Sequence, residues 1–170
     1  MIFNGCSSTT SLYNSDYTLT NNQTESTTTD LRINIPEGWF TSKANEEKFI
    51  DLWLIKDDYS ASIMFLPIHF DVQNLSDDNS TLKTIYDLVK VKAQSEGNTN
   101  FTQKQTDVFF GNSILAFEFI NTNHERCRTT IFQYKDQYFQ CTAVMPYSQI
   151  TPEDLFTIQN SVLKSVFDSK

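Results

Sequence analysis

The chain has 170 residues, of which 39% are hydrophobic and 14% aromatic, and a formal net charge of -8. That length supports one core without metal or disulfide staples, and the charge repels phosphate backbones and anionic membrane surfaces, so nucleic acid is not an expected partner. No run of about 18 apolar residues is present, which excludes a membrane-spanning helix.

Residues 1–30 read as an N-terminal tether. Its 6–30 stretch is dominated by Ser, Thr and Asn, with Leu12, Tyr13, Tyr17 and Leu19 as the larger apolar side chains. Such a segment cannot offset the entropy of ordering it; only its last residues are expected to form a first strand. Gly5-Cys6-Ser7-Ser8 places small residues on both sides of a cysteine, which resembles the processing site of a bacterial lipoprotein, with Cys6 as the lipid anchor. Only Met1, Ile2, Phe3 and Asn4 precede the motif, so the competing expectation is a cytosolic chain with an incidental cysteine.

The folded domain is expected over residues 31–170. Leu31, Ile33 and Ile35 alternate with polar residues and run into the turn Pro36-Glu37-Gly38-Trp39, with Trp39 closing one end of the core. Two apolar runs, 49–56 and 61–70, flank Asp57-Asp58-Tyr59-Ser60 and predict a hairpin, its two acids a solvated tip. Ser80 is the expected cap of a helix whose inner face carries Leu82, Ile85, Leu88 and Val89, stopped by Gly97. The preceding loop, 71–79, lacks the glycine and closing glutamate of a calcium loop and reads as a solvated helix start.

Four strand-like runs follow at 101–110, 113–121, 126–134 and 138–145, with links short enough to require antiparallel neighbours. Thr151-Pro152-Glu153-Asp154 then opens a second helix bearing Leu155, Ile158, Val162 and Val166. The order predicts an α+β fold, a single mainly antiparallel sheet of about six to seven strands with two helices packed on it.

Three segments of this order, Leu31-Arg32-Ile33-Asn34-Ile35-Pro36-Glu37-Gly38-Trp39, the hairpin at Phe110-Gly111-Asn112, and the closing helix with Ile158, Ser161, Val162 and Phe167, resemble the PsbP-type fold. That superfamily includes photosystem II PsbP proteins, Ran-binding Mog proteins and DcrB-type envelope lipoproteins. The resemblance implies an α/β/α sandwich and a non-enzymatic domain that assists or assembles a protein partner. It carries over no catalytic residue.

No nucleophile-elbow, zincin, P-loop or dinucleotide-binding motif occurs. His69 ends an apolar strand and His124 sits in a polar loop, neither placed as the base of a hydrolase. His124, Cys127 and Cys141 lack the fourth ligand of a structural zinc site, so neither metal nor cofactor is expected. With the β-turn centred near Asp136, Cys127 faces 145 and Cys141 faces 131. The two cysteines are then about 13 Å apart, beyond the roughly 7 Å a disulfide allows, so both are expected as free thiols. The same register puts Ile131, Phe139, Cys141, Ala143 and Met145 on one core face. Tyr134, Tyr138 and Tyr147 read as sheet packing before they read as a binding patch.

The functional expectation is a non-enzymatic lipoprotein of the bacterial cell envelope, held at the membrane through Cys6 and facing the periplasm or exterior, that binds or assembles a protein partner. The alternatives are a soluble, cytoplasmic, chaperone-like adaptor for apolar segments and a small hydrolase or ligand-binding enzyme.

Overall fold

The computed structural model describes residues 14–42, 49–69, 78–103, 107–146 and 151–168. Cys6, the 71–77 loop and Tyr147 lie outside them.

The first strand, β1 (Leu19–Glu25), pairs antiparallel with β2 (Arg32–Pro36) in a two-stranded ribbon. The ordered body thus reaches further toward the N-terminus than Leu31. The chain turns at Glu37-Gly38, where Gly38 takes φ 75°, a conformation L side chains resist. It then enters an eight-stranded sheet through β3 (Trp39–Thr41), β4 (Leu52–Lys56) and β5 (Ser62–Ile68). The expected 31–35 strand therefore belongs to the ribbon and not to the sheet.

Helix α1 (Asp78–Ser95) follows. Ser80 falls inside its first turn, where its carbonyl accepts from the Thr84 hydroxyl at 2.9 Å, so the helix begins two residues before the expected cap. Gly97 ends it at φ 86°, donating to the Gln94 carbonyl, as a C-terminal glycine does. Leu82, Ile85, Tyr86 and Ala93 are buried, whereas Leu88 is 50% exposed and faces out, contrary to its expected place on the inner face.

The second half is a meander of β6 (Thr99–Gln103), β7 (Asp107–Phe109), β8 (Asn112–Ile120), β9 (Glu125–Tyr134) and β10 (Gln137–Pro146). The expected 101–110 strand is two strands, both paired with β8. The sheet order is β3-β4-β5-β10-β9-β8-β6, every pairing antiparallel. Helix α2 (Pro152–Asp168) closes the chain behind its Thr151 cap, whose hydroxyl accepts from the Asp154 amide and donates to that residue's carboxylate.

The β9–β10 register differs by one residue from expectation: Tyr134 faces Gln137, Cys127 faces Val144 and Cys141 faces Thr130. A two-residue turn, with Lys135 at φ 52°, replaces the three-residue link. One step of register moves a residue to the other face. Ile131 therefore aligns with Leu115 on β8, while Phe139, Cys141, Ala143 and Met145 share the opposite, α2-facing side.

The sheet is covered on both faces. On one, Leu82, Ile85 and Tyr86 of α1 pack on Phe117, Phe119 and Cys127. On the other, Leu155, Ile158, Val162 and Val166 of α2 pack on Phe65, Phe132 and Phe139, and the ribbon adds Leu31 and Ile33 to that core. Because sheet and ribbon both cover α2, it is buried nearly all round, which obliges its polar residues to find partners inside the protein.

Candidate functional site

Four polar side chains of α2, Gln159, Asn160, Ser161 and Ser165, are at most 8% exposed. Gln159 holds the sheet, donating to the Cys141 carbonyl at 2.9 Å and accepting from Arg128 Nε. Arg128, 2% exposed, also donates through Nη2 to the Phe156 carbonyl at 3.0 Å and to Asn160 Oδ1. Its guanidinium lies 4.5 Å from the Phe156 ring centre, a cation–π contact strengthened by desolvation. Burial lowers the Arg128 pKa to about 10, opposed by Cys141 and Glu118, so the charge persists at neutral pH. The direct cross-strand neighbour of Arg128 is Glu118, itself paired with Arg126 at 3.1 Å.

The other three residues receive the N-terminal segment. Asn160 Nδ2 donates to the Asn14 carbonyl at 3.0 Å, the Tyr17 amide to Ser161 Oγ at 3.1 Å and the Asn34 amide to Ser165 Oγ at 3.1 Å. The chain therefore meets α2 beside Asn160 and runs along it toward its C-terminal end. Sequence reasoning missed this receptor; its signal is a run of small polar residues, 159–161 and 165, within an otherwise apolar helix.

At that C-terminal end stands the β7–β8 hairpin. Its loop is Phe110-Gly111, with Phe109 facing Asn112 and both loop residues at positive φ (48° and 76°). These are the dihedral signs of a type I′ turn, whose first position favours Asn, Asp or Gly. An aromatic there is strained. Phe110 is nevertheless 48% exposed, and Val108 beside it 69%. Phe110 leans edge-on against Phe109, with centroids 4.7 Å apart, and Lys164 Nζ lies 5.0 Å from its ring centre.

Lys164 also borders a polar depression of about 450 Å³ between α2 and the ribbon, lined by Tyr17, Arg32, Asn34, Ser165 and Asp168 among others. Two exposed apolar side chains and a cation are thus gathered at one end of a strongly acidic chain.

The expected chemistry residues are not brought together. His69 is exposed just past β5, and His124 is exposed in the β8–β9 turn at φ 61°. Cys127 and Cys141 are free and buried, on opposite faces of the sheet. Burial raises each thiol to about 12; Glu125 adds to the shift at Cys127, and Gln159 opposes it at Cys141. Among the described residues no cluster of His, Cys, Asp or Glu is placed to hold a metal ion. None of the described helices is long and apolar enough to cross a membrane. Tyr134 and Tyr138 are buried in packing, and Asp58 is bonded to Lys56 and Ser60, which hold its carboxyl well below the usual carboxylate range.

No family model matches the chain, and no curated protein matches it in sequence. Among solved structures it is similar to cyanobacterial PsbP (CyanoP) from Synechocystis sp. PCC 6803, with a TM-score of 0.56 over 85% of this chain and 89% of that one, at 10% identity. The antiparallel sheet between two helices, the capped closing helix and this superposition together establish that the chain has the PsbP-like fold.

Proposed function

We propose that this chain is a non-enzymatic accessory module that holds a partner protein at the end of the fold marked by Phe110. The observation that carries this reading is a strained, half-exposed aromatic where a turn asks for Asn. Strain of this kind persists where the surrounding structure enforces it, often at sites of function, and aromatics set among apolar neighbours are typical anchors of protein interfaces. The buried, high-pKa thiols and the separately placed histidines support a role without nucleophilic chemistry.

The module is held at a bacterial envelope membrane by a lipid on Cys6. Seven residues separate Cys6 from Asn14, and the eight steps between the two span at most about 28 Å when extended. The lipid therefore holds Asn14, and with it the middle of α2 at Asn160, within that reach of the bilayer, one helical turn from the Lys164 that sits on the Phe110 ring. Metabolic labelling with a palmitate analogue should mark the wild type and spare Cys6→Ala; equal labelling of both contradicts the anchor. Co-purification from native-host membranes should recover one enriched protein with the wild type and lose it with Phe110→Asn. Equal recovery contradicts the binding site.

A further inference from the structure

A second cavity lies at the opposite edge of the sheet, between the β1–β2 loop and the start of β4. We propose that it binds a neutral polyhydroxylated ligand, a short oligosaccharide. The cleft has a volume of about 720 Å³, inside the roughly 300–1,000 Å³ range of small-molecule sites. Its walls carry the hydroxyls of Thr24, Thr27, Thr41 and Ser42. Among the described residues, none of these four hydroxyls makes a hydrogen bond within the protein. Each can both donate and accept, which is what a ligand made of hydroxyls requires.

Leu52, Trp53 and Pro67 supply apolar surface to the same cleft, suited to the C–H faces of a sugar ring. Trp53 Nε1 is one of three buried polar side-chain atoms among the described residues with no hydrogen-bond partner.

The charges of the cleft select against ions. Among the described lining residues none is Lys or Arg, and they include Glu25 and Asp51, so an anion meets like charge. Glu25 is countered by Arg32 at 2.9 Å. Asp51 already accepts from the hydroxyls of Ser26, Thr28 and Thr29, the last at 2.7 Å, which leaves it little capacity for a cation. These bonds, with Lys135 to Asp30 at 2.7 Å, fix the 26–30 loop as a preformed wall, which lowers the ordering cost of binding.

The test is an amide-resolved NMR titration of the full chain with chitobiose, cellobiose and maltotriose, each to about 20 mM, a range that detects millimolar affinity. At least one sugar should shift the amides of Thr27, Thr41, Ser42 and Asp51 together with the Trp53 indole signal. Thr41→Val, which keeps the side-chain shape, should weaken that binding about fivefold, the worth of one hydrogen bond, while its undisturbed spectrum elsewhere reports an intact fold. Silence of these signals with all three sugars overturns the proposal. So does unchanged affinity in Thr41→Val/Ser42→Ala, or a stronger response to a galacturonic acid dimer than to the neutral sugars.

Discussion

Phe110 separates stability from binding at a single residue. Its φ of 48° beside Gly111 is where a type I′ turn favours Asn, and with 48% of its surface exposed the ring contributes little burial. Phe110→Asn should therefore leave stability unchanged or raise it by about 0.5–1 kcal/mol while partner binding is lost. Urea denaturation checks the first half; a loss of more than about 1 kcal/mol would make the ring a structural element.

The two thiols make a pH prediction with a definite sign. Cys127 and Cys141 titrate at about 12 in the fold against an ordinary 9.0, so the unfolded chain loses these protons first as pH rises. Their contribution is intact below about pH 9 and falls from there toward 12. Arg128, lowered to about 10 from 12.5, acts oppositely but only above pH 10. Between pH 8 and 10 the unfolding free energy from urea denaturation should fall less steeply in Cys141→Ala than in the wild type, by about 1 kcal/mol at pH 10. Identical slopes would contradict the buried neutral thiol.

At the scale of elements, α2 is the joint of the molecule. Its apolar positions 155, 158, 162 and 166, its proline and its cap were legible in the sequence, because a helix start and a 3.6-residue period are local signals. Its polar stripe was not legible, because Asn160, Ser161 and Ser165 acquire meaning only through backbone groups more than 130 residues away. Strand β1 lies earlier in the tether than the expected first strand for the same reason: Leu19–Glu25 has little apolar content and becomes a strand by pairing with β2. The β9–β10 register slipped because Lys135 takes a positive φ with no glycine to announce it.

Two variants test the joint. Ser165→Ala removes the acceptor of the Asn34 amide at 3.1 Å and should cost about 1 kcal/mol, with faster hydrogen exchange along β2. Arg128→Met removes the guanidinium bonds to Gln159 Oε1, Asn160 Oδ1 and the Phe156 carbonyl and should cost about 3 kcal/mol by urea denaturation. A cost under about 1 kcal/mol would mean the cluster contributes packing alone.

For the whole molecule, the order of strands and helices was readable and their assembly only partly so. The ribbon that rides on α2 and the eight-stranded count depend on pairings between distant segments. What the assembly adds is placement. The N-terminal segment joins α2 at Asn160, and the exposed Phe110 stands one turn further along beside Lys164, with Val108 on the same hairpin. Attachment and contact thus share the second half of one helix, and nothing in the 14–25 segment announces it before the fold is built.

The most direct measurement is site-specific photocrosslinking in the native host, with a photoreactive amino acid at Val108 and, as control, at Val91 on the outer surface of α1. A single discrete protein adduct from position 108, absent at position 91 and lost when Phe110→Asn is added, is the result this account predicts. An adduct that survives Phe110→Asn, or equal adducts from both positions, would contradict it.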